Sequence, residues 1–136
     1  MKVAIGVCML LMMSATTHAQ TQDEAKQFLI GAFAMGNPMI TTLTCDEITM
    51  LTQGGLIGFR FNPRSVSIKE YMGSSVEGPS VVFSCITGAC IWHTEYDKTK
   101  LVGKADPYTN GLDPQRVVRA FEFYQKSCGG PAKSSF

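Results

Sequence analysis

The sequence predicts an α+β domain: a curved antiparallel sheet or partial barrel of about six or seven strands, with an N-terminal helix and a C-terminal capping helix. Three observations predict it. Helical patterning is confined to the two ends of the chain, near residues 23–35 and 113–127. Between them lie short β-rich runs bounded by glycine, proline and asparagine. The connections between those runs are short, which favours hairpins over parallel crossovers.

Residues 1–19 have the anatomy of a secretory signal. Lys2 supplies the positive start, Val3 to Met13 is apolar, and Thr17-His18-Ala19 ends on a small residue at the expected cleavage position. The apolar run is too short to span a bilayer. Of 136 residues, 117 remain after the first 19 are removed, enough for one domain. The expected organisation is a signal peptide over 1–19, a single disulfide-stapled domain over 20–130 and a flexible tail over 131–136, in a periplasmic or secreted protein. Loss of Lys2 leaves 11 basic against 11 acidic residues. A chain without net charge has no general attraction for nucleic acid or an anionic membrane surface.

Each element has a local cause. Asp23 to Met35 reads as a helix, capped by Thr21 or Asp23, with acidic residues in its first turn and a stop at Gly36-Asn37-Pro38. Strands are expected over Ile40–Cys45, Glu47–Thr52, Leu56–Phe61 and Ser65–Tyr71, broken by Gln53-Gly54-Gly55 and Asn62-Pro63-Arg64. In Leu56–Phe61 the residues Ile57, Phe59 and Phe61 share one face. After a loop over Gly73–Pro79, Val81–Ile86 and Cys90–Tyr96 read as two strands of one hairpin, with Val81, Phe83, Cys85, Cys90, Trp92 and Thr94 on one face. Lys98–Asn110 is polar, with a short strand near Leu101-Val102. Asp113-Pro114 starts the last helix, with Asp as cap and Pro at the first helical position. Val117, Ala120, Phe121, Tyr124 and Cys128 form its apolar stripe, and Gly129-Gly130-Pro131 ends it.

Four cysteines remain after export: Cys45, Cys85, Cys90 and Cys128. An even number in an exported chain reads as two disulfides, with three pairings open. A hairpin with a four-residue loop places residues 85 and 90 opposite each other at a separation a disulfide accepts. This pairs Cys85 with Cys90 and leaves Cys45 with Cys128. The spacing lacks the two close cysteine pairs of a zinc site.

The Val-Val-Phe-Ser-Cys…Cys-Ile segment and the helix end Phe-Glu-Phe-Tyr-Gln-Lys-Ser-Cys-Gly-Gly occur here after an N-terminal helix and a Thr/Cys-containing strand. In this order they resemble small secreted bacterial domains of unknown function with a pleckstrin-homology-like fold, over most of residues 23–130. Ser127 departs from the pattern, which usually has an apolar residue before the cysteine. The resemblance implies a bent antiparallel sheet plugged by the C-terminal helix and a binding or assembly role. It carries over no functional residue.

A search for chemistry yields no catalytic set. His93 is the one histidine of the processed chain, and only Ser84 is a conceivable neighbour across the expected hairpin, without a nucleophile motif around it. Asp46 and Glu47 face opposite sides of a strand and suit neither glycoside hydrolysis nor metal clamping. The glycine-rich Gln53–Gly58 segment lies between strands and opens no helix, unlike a phosphate-cradling loop. No metal site and no cofactor are expected. The candidate contact surface is Trp92, His93 and Tyr96 with Lys98, Lys100 and Lys104 in the following loop. Arg60 and Arg64 form a second basic cluster, and Phe123 lies off the helix stripe. The expected function is a non-enzymatic binding or assembly module for a protein or cell-envelope component. The alternative is a periplasmic enzyme inhibitor or immunity protein acting through the 85–90 hairpin.

Overall fold

The computed structural model describes residues 20–34, 38–52, 54–71, 80–107 and 112–131. The signal-like residues 1–19, the 73–79 loop and the tail beyond Pro131 lie outside the described residues. Among the described residues the architecture is α+β, with helix α1 (Gln22–Ala32), eight strands and helix α2 (Pro114–Ser127). The strands are β1 (Met39–Leu43), β2 (Ile48–Leu51), β3 (Ile57–Phe61), β4 (Val66–Tyr71), β5 (Ser80–Cys85), β6 (Ile91–Glu95), β7 (Lys98–Val102) and β8 (Lys104–Ala105). They form two antiparallel sheets, β1-β2-β3-β6-β7 and β4-β5-β8, and neither closes into a barrel.

Local signals place both helices. Thr21 caps α1, its hydroxyl accepting from the Glu24 N–H at 3.2 Å. Asp113 caps α2, accepting from the Gln115 N–H at 3.0 Å, with Pro114 at the first helical position. α1 buries Ala25, Leu29 and Ala32, and α2 buries Val117, Ala120, Phe121 and Tyr124. The core joins three layers through one aromatic chain: Phe61 of β3 lies 5.1 Å from Phe83 of β5, which lies 5.0 Å from Phe121 of α2. Phe123 is half-buried and packs against this core.

The main departure from expectation concerns the Cys85–Cys90 segment. Both predicted disulfides are present, Cys85–Cys90 and Cys45–Cys128. The hairpin invoked to pair the first does not exist. β5 pairs with β4 and β8, whereas β6 pairs with β3 and β7, so the bridge joins the ends of strands in different sheets. A Cα separation of 5.7 Å satisfies a disulfide and also resembles a cross-strand pair, so the distance criterion alone does not identify a hairpin. The expected common face is lost as well. Val81 and Phe83 are in the core, but β6 turns Ile91 inward and leaves Trp92 exposed.

The chain changes sheets at three places, and all three meet at this bridge. They are the 3-10 turn Pro63–Ser65 between β3 and β4, the segment 86–90 between β5 and β6, and Gly103 between β7 and β8. The Ile86 N–H donates to the Ser65 carbonyl at 3.0 Å, and the Cys85 N–H to the Gly103 carbonyl at 2.9 Å. Cys85 Sγ lies 3.6 Å from the Val102 carbonyl oxygen and Cys90 Sγ 3.7 Å from that of Ser65. Gly88 turns the segment at φ 61°, a conformation glycine adopts without penalty.

α2 is tied to the same end. Gln125, buried in its last turn, donates through Nε2 to the carbonyls of Pro63 (2.9 Å) and Val66 (2.6 Å). Arg64 donates through Nε to the Gly130 carbonyl at 3.1 Å. The next residue after α2, Cys128, is bridged to Cys45 in the β1–β2 turn. Gln22 of α1 places Nε2 3.4 Å from the Cys45 sulfur and 3.5 Å from that of Cys128. The opposite end carries the β2–β3 turn and the β6–β7 turn and, among the described residues, no cross-link.

Two predictions arise from these contacts. Closing the short Cys85–Cys90 loop accounts for about 2 kcal/mol on the loop-entropy model. Because three corners lean on the bridge, the double variant Cys85→Ala/Cys90→Ala is expected to lose more than this in urea unfolding. A loss at or below about 2 kcal/mol would mean the backbone hydrogen bonds hold the corners unaided. The second concerns Tyr124, whose phenol is pushed above the ordinary tyrosine range, first by burial and then by the negative charge of Asp46. The unfolded chain therefore releases this proton at lower pH than the folded chain. Its contribution is intact below the ordinary value of 10.0 and is lost as pH rises through the higher folded value. Tyr124→Phe is expected to flatten the alkaline fall in urea midpoint, and an unchanged slope would refute this account.

Candidate binding surface

The strand register builds a groove on the core-facing side of the uncross-linked end. In β6 the alternation turns Ile91, His93 and Glu95 to the inner face and Trp92 and Thr94 to the outer one. Ile91 is covered by the core, while His93 and Glu95 run on past it. Phe59 lies directly opposite His93 on β3, and Lys100 lies opposite it on β7. The His93 imidazole stacks on the Phe59 ring, with centroids 4.8 Å apart and 18° between planes. In the next row, Ile57, Glu95 and Lys98 lie side by side. An open groove of about 500 Å³ results, lined by His93, Glu95, Tyr96, Asp97, Lys98 and Lys100. Its two aromatic rings and mixed charges suit a ligand with both a ring-stacking and an ionic part.

The turn closing this groove is strained. Tyr96 has φ 58°, and it is the one described non-glycine residue with positive φ. The left-handed conformation costs such a residue roughly 1–2 kcal/mol. Two features hold it there. Glu95 and Lys98 pair directly, so only Tyr96 and Asp97 remain to reverse the chain. The Tyr96 N–H also donates to the Leu56 carbonyl at 2.6 Å, joining this turn to the β2–β3 turn. The ring itself is 64% exposed.

The structure divides the predicted contact set. His93, Tyr96, Lys98 and Lys100 line one groove. Trp92 is on the opposite face of the same sheet, beside Arg60 and Leu101, over a smaller groove of about 250 Å³. There Thr94 and Thr99 face each other with hydroxyls 3.1 Å apart. Gly58 lines that groove, and a Cβ there would fall on the Met50 carbonyl and Leu51 Cδ2. Lys104 belongs to the three-stranded sheet, opposite Ser84. The expected lysine loop is therefore two strands, with its lysines on different sheets. The short strand expected near Leu101-Val102 extends back to Lys98, a start that local patterning obscured because none of the five residues is buried.

Other expectations change in the same way. Ser84 pairs with Ser67 and Lys104, so it is not a cross-strand neighbour of His93. Arg60 and Arg64 do not cluster: Arg60 is on the outer sheet face, and Arg64 is bonded to the end of α2. Asp46 and Glu47 sit in the β1–β2 turn, where both N–H groups donate to the Thr44 hydroxyl. Among the described residues, no group of three or more His, Cys, Asp and Glu side chains is placed to hold a metal ion. No described helix is long and apolar enough to cross a membrane. Sequence reasoning missed the stacking of Phe59 on His93, since that contact depends on β3 pairing with β6 rather than on local spacing.

No family model matches the chain, and comparisons with curated proteins and with solved structures find no match either.

Replacing Tyr96 by glycine removes the left-handed penalty and is expected to leave stability unchanged or raise it by about 1 kcal/mol. Tyr96→Val is expected to lower it, because a β-branched residue tolerates this conformation least. Urea midpoints of both variants check the assignment, and a clear loss in Tyr96→Gly would show that the ring contributes more than the backbone costs.

Proposed function

We propose that this protein is an exported, non-enzymatic binding module that recognises a protein or cell-envelope component with its uncross-linked end. The observation that carries the reading is the division of the molecule. Both disulfides and all three sheet-switching corners occupy one end, while the open groove of His93, Tyr96, Lys98 and Lys100 occupies the other. Export is supported by the signal anatomy of residues 1–19 and by two disulfides, which persist in oxidising compartments such as the periplasm or the outside of the cell. The absence of an assembled nucleophile–base pair favours binding over catalysis among the described residues.

The resemblance to a pleckstrin-homology-like architecture belongs to the same reading. It is supported by two antiparallel sheets and a C-terminal helix packed on the core. The strand order is not a simple meander, since β6 joins β3 across the sheet change. The outline carries no ligand with it, because one fold hosts many unrelated functions.

A second reading is an enzyme inhibitor or immunity protein. The 85–90 segment is a pinned corner rather than a projecting hairpin, so insertion through it loses its basis. The observation favouring an inhibitor is the Tyr96 turn, which holds an exposed aromatic ring in a fixed, strained backbone. Affinity capture from envelope extract, with the intact protein and with Tyr96→Ala and Lys100→Glu, tests both readings. One saturable partner, captured at least tenfold less by either variant, is the expected result. A hydrolase that is inhibited in stoichiometric complex would select the second reading, and no saturable partner would sink both.

A further inference from the structure

We propose that the free edge of β7 takes up an extended acidic segment of a partner protein as a sixth strand of the larger sheet. This deepens the binding-module reading and rests on it. Among the described residues β7 pairs only with β6, which leaves its other edge without a strand there, and four of its five residues are exposed. Glu95 and Lys98 close a two-residue turn and must therefore exchange both backbone hydrogen bonds. Counting along the ladder, Lys100 and Val102 also turn their backbone groups toward β6. Thr99 and Leu101 then present N–H and C=O to the open edge. Such an edge is a ready template for strand addition.

The side chains specify what is added. In an antiparallel extension, the partner residues opposite Lys98 and Lys100 fall at positions without direct hydrogen bonds, where side chains approach most closely. Both lysines are exposed on the groove side, and among the described residues neither has an ion-pair partner. Carboxylates at alternate positions of the added strand meet them there. The intervening side chains fall on the outer face beside Leu101 and Trp92, each 43% exposed. A second copy of this chain is a poor occupant. Antiparallel self-pairing centred on Lys100 sets lysine against lysine, a destabilising arrangement. The other edge of this sheet, β1, carries a register shift between Ile40 and Thr42, which makes it a poorer template.

The experiment is an NMR titration of the isotope-labelled protein with a short peptide of alternating glutamate and threonine. A peptide with lysine in place of glutamate, and one of the same composition with its glutamates contiguous, serve as controls. The expected result is slowed solvent exchange at the Thr99 and Leu101 amides and at least tenfold tighter binding of the alternating acidic peptide. Binding should weaken as salt is raised. Leu101→Pro removes an edge N–H without touching the β6–β7 ladder and should abolish binding while the groove signals of His93 persist. Lys98→Glu/Lys100→Glu should reverse the preference toward the lysine peptide, which keeps the test alive if the proline variant misfolds. Equal binding of all three peptides, no binding of any, or dimerisation through β7 would each overturn strand addition. Shifts confined to His93 and Tyr96 and insensitive to a folded Leu101→Pro would overturn it while sparing the groove reading.

Discussion

The structure depends on one junction, the bridge between Cys85 and Cys90. A chain that builds two sheets by passing between them three times must satisfy its backbone polar groups at every passage, because buried unpaired amides are costly. Here the three passages share their hydrogen bonds. The β4 side accepts from the first residue after β5, and the β7–β8 corner accepts from the last residue of β5. The disulfide then fixes β6 relative to β5 although the two strands never pair. Remove that constraint and the larger sheet is joined to the smaller only by the three chain passages, the backbone hydrogen bonds between them and side-chain packing.

The second bridge acts at longer range on the same end. Cys45–Cys128 spans 83 residues and fastens the β1–β2 turn to the end of α2. On the loop-entropy model a closure of this length contributes between about 4 and about 5 kcal/mol, the larger share of the cross-linking stabilisation. Gln125 and Arg64 complete the attachment by serving carbonyls of the 3-10 turn and of the helix end. The ring chain of Phe61, Phe83 and Phe121 is the apolar counterpart, with one residue from each layer. Covalent, polar and apolar contacts therefore coincide, and the groove end is free to differ in sequence without loss of the scaffold.

What was legible in the sequence was local. Thr21, Asp113 and Pro114 announce the helices through capping chemistry, and Gly129-Gly130 ends the second. Both cysteine pairings were also recoverable, the short one from a geometry that turned out different in kind. What was hidden depends on pairing between distant strands. Phe59 meets His93 only because β3 is the neighbour of β6, and sequential order gives no hint of that. β7 was obscured for another reason. Its end at Leu101-Val102 was expected as a short strand, but Lys98, Thr99, Lys100 and Leu101 are all exposed, so its start bears no buried-face signature for a periodicity argument to find. The candidate site combines both problems, which is why its residues were named as a group while Trp92 and Lys104 belonged elsewhere.

Gly103 has a consequence for how this surface can diversify. A single residue separates β7 from β8, so β7 cannot lengthen at that side without displacing the corner that β5 leans on. Insertion of one residue within the strand would exchange the two faces of everything beyond it. Growth is compatible with the scaffold at the Tyr96-Asp97 reversal, and there in pairs, one residue added to each arm. Every such pair adds a complete new row across β6 and β7 and alternates between the lysine-bearing face and the threonine-bearing one. The hairpin is in this sense a ruler with one fixed end, on which exposed surface is lengthened in steps while the cross-linked half remains unaltered.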